Sequence, residues 1–355
     1  MGDPGDEARE TAQGRNGVLT MAGPSHSSRS TAKTVAKVVL SVGLIAVLLG
    51  WADLSKMGGA LARVPAALLL FALAWWGFDQ LLGAWGWNIL LRMRGIREPF
   101  GRIASLYFTT GFYGFFLPSS MGPDLLRAAA LARGTTSGAE AAGSILMLRF
   151  LTLLSMPVPF AIGGVLAAGD DGAGVWIAAG MAGFFSFLAA GGMAVAAYRL
   201  GRDGRARTFL DRHRLAGRVA RFLVDVGHAL AAYGRERRIL LGVGAIMAFT
   251  QIARILLAYV LALGMGSPAD LAYFFLTLPV VSFIVKLPIS LGGLGIGEGG
   301  LVVGFLQGGM AYEEALALAL VLSFLSLAVA LAGGGIALLR PDGVGKGAAA
   351  DLPAR

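Results

Sequence analysis

Lys286-Leu287-Pro288-Ile289-Ser290-Leu291-Gly292-Gly293-Leu294-Gly295-Ile296-Gly297-Glu298 decides how this chain is read. The stretch lies deep in an apolar region, yet it carries Pro, a cluster of Gly, a Lys and a Glu. An uninterrupted spanning helix has no use for that mixture, because Pro removes a backbone donor and Gly loosens the helix. Non-helical backbone at membrane depth persists only where protein or a water-filled cavity surrounds it. The stretch therefore reads as a broken helix lining a polar cavity.

Outward from it, a second copy lies in the first half of the chain. Leu117-Pro118-Ser119-Ser120-Met121-Gly122 repeats Leu287-Pro288-Ile289-Ser290-Leu291-Gly292 with Leu, Pro, Ser and Gly in register. Paired Gly/Pro-interrupted apolar segments in two halves of a chain point to a transporter's binding site. The alternative is a pair of ordinary inter-helix loops, where Gly and Pro are also common.

Composition fixes the class. The chain has 355 residues, 56% hydrophobic and 14% charged, with a mean hydropathy of +0.71. Several windows exceed the roughly 18 apolar residues that mark a spanning helix. The absence of Cys excludes disulfides and thiolate chemistry, and three His, at His26, His213 and His228, offer no obvious metal site. The net charge of +9 points to cytoplasmic loops facing anionic lipid rather than to nucleic acid.

Residues 1–33 are polar and read as a disordered tail, and residues 341–355 as a second tail. Between them, residues 34–340 form one transmembrane domain. Spans are expected at Val38–Trp51, Pro65–Leu91, Ala141–Ala168, Val175–Tyr198, Ile239–Leu263 and Ala315–Leu339. The segment 199–238 holds eleven Arg and four acids. Within it Leu215, Val219, Phe222, Leu223, Val226, Leu230 and Tyr233 recur at helical spacing, the pattern of an amphipathic helix on an anionic membrane surface.

Lys/Arg-rich loops stay in the cytoplasm. This places Arg92–Arg102, Arg199–Arg238 and both termini inside, and Asp53, Asp170–Asp171, Asp270 and Glu313–Glu314 outside. The count closes only if residues 103–134 enter and leave on the cytoplasmic side and residues 271–310 on the outer side. The expected fold is thus an all-α polytopic membrane protein with six spanning helices and two membrane-inserted hairpins. Its repeats, about 65–168 and 239–339, have inverted topology. Whether the hairpins are re-entrant or fully spanning stays open at this level.

The two motifs also carry a resemblance. The run from Leu117 through Pro123, Asp124 and Arg127, the run from Leu287 to Glu298, and the Arg149 helix resemble the lysylphosphatidylglycerol synthase transmembrane region, also called flippase-like integral membrane proteins. The resemblance covers roughly residues 35–340. It implies a polytopic inner-membrane protein that moves a lipid headgroup across the bilayer, and here the aminoacyltransferase domain of bifunctional members is expected to be missing. This chain departs from the pattern at Pro123, where members often carry Gly, and at Gly297, where they often carry Arg.

A lipid phosphate at depth needs cations and donors. Arg127, Arg149, Arg254 and Lys286 supply charge, and half-helix N-termini after Gly122 and Gly293 supply N–H groups. Asp79, Asp124 and Glu298 can balance the cations or carry protons, and Pro118, Ser119, Ser120, Pro288, Ser290 and Gly292 complete the candidate set. No catalytic triad, metal box or P-loop is legible, and no cofactor is expected. The expected partners are membrane lipids, anionic ones first, beside a further copy of the chain or a lipid- or glycan-synthesising enzyme. The competing readings are a membrane scaffold for such an enzyme, or an intramembrane lipid-modifying enzyme.

Overall fold

A computed structural model describes residues 43–116, 122–132, 138–185, 233, 236–286 and 295–339. The disordered-tail readings and nearly all of the basic segment fall outside these residues. Within them the chain is helical and without strands. The helices are α1 (Gly43–Gly50), α2 (Leu54–Arg63), α3 (Ala66–Met93), α4 (Phe100–Phe116), α5 (Gly122–Ala132), α6 (Gly138–Ser155) and α7 (Pro157–Leu166). After these come α8 (174–185), α9 (Arg237–Gly264), α10 (Leu271–Lys286), α11 (Ile296–Gln307) and α12 (Tyr312–Leu339).

Four helical segments among the described residues are long and apolar enough to cross a membrane: α3, α6 with α7, α9 and α12. A fifth exists if the bent pair α1 and α2 counts as one. Helix α1 lies within the first expected span and ends where that span was expected to end, and a second helix follows at once. Asp53 N-caps a new helix by accepting from the Ser55 and Lys56 N–H groups, and α2 leaves α1 at 90°. The spans carry exposed bulky side chains outward, among them Leu70 and Phe71 on α3 and Phe324 and Leu331 on α12. In water such a belt would associate; in hydrocarbon it is the ordinary outer surface.

The ends of the bundle differ in charge. One end gathers Asp53, Asp170, Asp270 and Glu314. There Arg63 donates to the Met265 carbonyl at 3.0 Å and lies 3.9 Å from Glu314, and the Tyr273 hydroxyl donates to Asp170 at 2.7 Å. The other end gathers Arg92, Arg94, Arg97, Arg102 and Arg237, with Arg94 3.5 Å from Glu140. Tyr233, from the basic segment, is buried at this end beside Arg94 and within 3.4 Å of the Leu90 carbonyl. Each end has its own core, one around Phe274, Phe305 and Leu316, the other around Trp87, Leu91 and Met247.

Both hairpins are short. The inner arms α5 and α11 have 11 and 12 residues, about 17 Å of helix against about 30 Å of hydrocarbon. Hairpin α4–α5 has its outer ends at the basic end. Hairpin α10–α11 has them at the acidic end, where the Asp270 N–H donates to the Gly308 carbonyl at 2.9 Å.

The packing is reciprocal. Helix α12 packs on α4 as α7 packs on α10, and α12 meets α3 as α6 meets α9. Helix α3 meets α9 directly and antiparallel: Gly86 faces Val243 and Met247, while Gly264 faces Val64 and Leu68. The start of α9 lies as far beyond the start of α3 as the start of α10 lies beyond that of α4. Close approach depends on Gly on both sides. A Cβ on Gly163 would meet the backbone of Phe275 and Leu276, and a Cβ on Gly333 would fall on the Phe108 carbonyl. Small residues are what let membrane helices approach this closely.

Candidate functional site

The first hairpin builds its site from a restarted helix. Helix α5 opens at Gly122 with Pro123 in its first turn, where a missing N–H costs nothing. Gly114 on α4 has no Cβ to collide with the Pro123 ring, so the arms close on each other. Asp124 then sits in the first turn of α5, where the helix dipole favours an anion. Arg127 is one turn further on the same face.

The Asp124 carboxylate is shared. Oδ1 lies 3.2 Å from Nη1 of Arg127, and Oδ2 lies 3.0 Å from Nη1 of Arg149, reached from α6. Arg127 is buried. Its Nε donates to Thr110 Oγ1 at 2.9 Å, and the Thr110 hydroxyl donates to the Leu106 carbonyl at 2.7 Å. Its guanidinium lies 3.7 Å from the Tyr107 ring centroid, a cation–π contact. Two cations thus share one carboxylate in this cluster.

A second ion pair lies between α3 and α9. Arg254 Nε is 3.8 Å from Asp79 Oδ1, and its Nη2 donates to Gln251 Oε1 at 2.5 Å. Asp79 sits at the middle of α3, and Gln251 at the middle of α9. Tyr107 lies within electrostatic range of both ion pairs, and its hydroxyl sits against Gly83, one turn from Asp79.

The second hairpin is different. Gly295, at φ 84°, caps α11 in a conformation that favours Gly. Glu298 is buried and reaches back to accept from the Gly295 N–H at 2.6 Å, while its other oxygen accepts from Ser323 on α12 at 2.5 Å. Helix α11 thus starts after Gly295, and Glu298 holds that start in place. No cation pairs with Glu298 among the described residues.

The structure thus joins Asp124, Arg127 and Arg149 in one cluster and Asp79 with Arg254 in another. Gly122 begins α5 beneath the first of them. Pro118, Ser119, Ser120, Pro288, Ser290, Gly292 and Gly293 lie outside the described residues. Lys286 ends α10, its side chain outside them too. Sequence reasoning did not assign Tyr107, Thr110, Gln251 or Ser323 to the site. A polar residue within an apolar run was the only available signal for each. Among the described residues no group of three His, Asp or Glu is placed to hold a metal.

Short apolar helices paired as hairpins, arginines that pair with Asp124 and Asp79 among apolar helices, and four long apolar spans are the features of a membrane protein family, and residues 35–334 match the lysylphosphatidylglycerol synthase transmembrane region. The chain belongs to that family. It is therefore a multi-pass membrane protein of a family linked to lipid handling. No curated protein matches it.

Proposed function

We propose that the protein is a lipid transporter of the cytoplasmic membrane that moves an anionic phospholipid or a lipid-linked headgroup between leaflets. It acts without covalent chemistry, as an inverted repeat of six spans and two re-entrant hairpins with both termini cytoplasmic. The observation that carries this reading is the cluster in which Arg127 and Arg149 share Asp124. Charge at membrane depth is costly and marks function, and guanidinium binds phosphate oxygens in pairs.

The reciprocal packing and the antiparallel pairing of α3 with α9 support the inverted repeat. A two-fold axis relating antiparallel spans lies in the membrane plane, and exchange between the two halves alternates access to a central site. The gathering of Arg92, Arg94, Arg97, Arg102 and Arg237 at one end supports a cytoplasmic assignment for that end.

The test is translocation of labelled phosphatidylglycerol in proteoliposomes. Arg127→Ala is expected to lower the rate about tenfold or more, the loss of one charge-assisted contact. Arg340→Ala leaves it unchanged. Glu298→Gln is expected to slow transport while keeping the fold, because an amide can still accept from Gly295 and donate to Ser323. Wild-type rates in both Arg127→Ala and Glu298→Gln would refute transport and favour a scaffold for a lipid- or glycan-synthesising partner.

A further inference from the structure

We infer that a second anion site, for the phosphate of the same lipid headgroup, lies in the seam between α3 and α9 and is built by the Gln251 amide, the Arg254 guanidinium and the Trp75 indole. This rests on the transport reading above and adds a second stopping place to it. Three buried N–H donors in this region have no acceptor: Gln251 Nε2, Arg254 Nε and Trp75 Nε1. A buried donor left unpaired costs free energy, and such groups are rare in folded proteins. Gln251 is only 7% exposed, so bulk water does not satisfy it.

The donors share one seam. Gln251 and Arg254 are one turn apart on α9, and the Gln251 oxygen is taken by Arg254 Nη2, which turns the amide NH2 away from that contact. Trp75 is one turn before Asp79 on α3, and its ring meets Phe249 of α9 at 5.9 Å. Asp79 is the nearest acid, yet its Oδ1 is 3.8 Å from Arg254 Nε, beyond hydrogen-bond reach. Among the described residues the seam therefore has donors in surplus, and its carboxylate, Asp79, makes an ion pair with Arg254 but no hydrogen bond to these donors. An anionic oxygen with several lone pairs satisfies such a set, and a phosphate supplies several. The Arg254 side chain is 29% exposed, so the seam can be reached.

The two sites are neighbours. Tyr107 stacks on Arg127 on one side, and its hydroxyl touches Gly83, one turn from Asp79, on the other. A headgroup passing from the Arg127–Arg149 cluster to the seam passes this ring.

The test uses the full chain in phosphatidylcholine vesicles doped with labelled phosphatidylglycerol. Gln251→Glu keeps the oxygen that Arg254 binds and replaces the NH2 donor by a repelling oxygen. Trp75→Phe keeps the ring contacts and removes one donor. We expect translocation to fall about tenfold in Gln251→Glu and several-fold in Trp75→Phe. The thermal stabilisation of the detergent-solubilised protein by dioctanoylphosphatidylglycerol should shrink in both, a readout that a structural role alone would not move. If Gln251→Glu does not fold, Gln251→Met removes the donor without adding charge and is read in the same way. Wild-type translocation in the seam variants beside a loss in Arg127→Ala overturns the second site and leaves the transport reading standing. Wild-type rates in all of them overturn both.

Discussion

Asp124 holds two guanidinium groups with its two oxygens, and that single carboxylate explains why Arg127 and Arg149 tolerate each other at depth. Asp124→Asn removes the carboxylate that both cations share. It is expected to cost about 2 kcal/mol, the range for a partly buried pair losing one partner, read as a Tm several degrees lower. A titrating counterpart lies outside the spans. The Tyr273 hydroxyl, and after it the Gly172 N–H, hold the Asp170 carboxyl below its usual value. A carboxyl depressed by folding stabilises the fold above its unfolded value and loses that contribution as pH falls through the folded one. Tyr273→Phe should therefore lower Tm at pH 5 to 7. The gap between the two proteins should close below about pH 4, as Tm measured across a pH series would show. A gap that widened towards acid would contradict the assignment.

Elements meet here through missing side chains. Gly163 on α7 abuts the backbone of α10, and Gly333 on α12 abuts that of α4. Gly163→Ala and Gly333→Ala each push a Cβ into backbone that cannot swing aside, at an expected cost of about 1–3 kcal/mol. Gly335→Ala, on the same helix as Gly333, meets nothing within 4 Å and should be neutral or gain up to about 1 kcal/mol. Thermal unfolding of the three variants checks the contrast, and equal losses at Gly333 and Gly335 would argue against the α4–α12 contact. Since these helices carry the two hairpins, a loss at Gly163 or Gly333 should also slow transport.

Among the described residues, charge segregates by end while the outer ends of the two hairpins lie at opposite ends of the bundle. The chain has no Cys, so introduced thiols report sidedness cleanly. Cys at Asp171 or Asp270 should react with an impermeant maleimide added outside intact cells. Cys at Arg97 or Arg218 should react only after permeabilisation. Labelling at Arg218 from outside would invert the topology and, with it, the direction in which each hairpin opens.

The sequence by itself determined the elements and their class. Hydropathy acts over neighbouring residues, so the long spans at Ala66–Met93, Arg237–Gly264 and Tyr312–Leu339 were legible, as was the family that residues 117–127 and 287–298 resemble. Charged residues at depth were legible one by one, because each is costly alone in hydrocarbon. Only the tertiary structure decided which charges meet. Asp79 and Arg254 are far apart in the chain and pair because α3 and α9 cross antiparallel. Arg149 joins Asp124 because α6 returns beside α5. Glu298 turned out to hold its own helix start and Ser323, and that the buried donors of Gln251 and Trp75 lack a hydrogen-bond partner is visible only in the packed structure. Hydrogen bonds and ion pairs act over a few ångströms, and those ångströms are set by packing between distant segments.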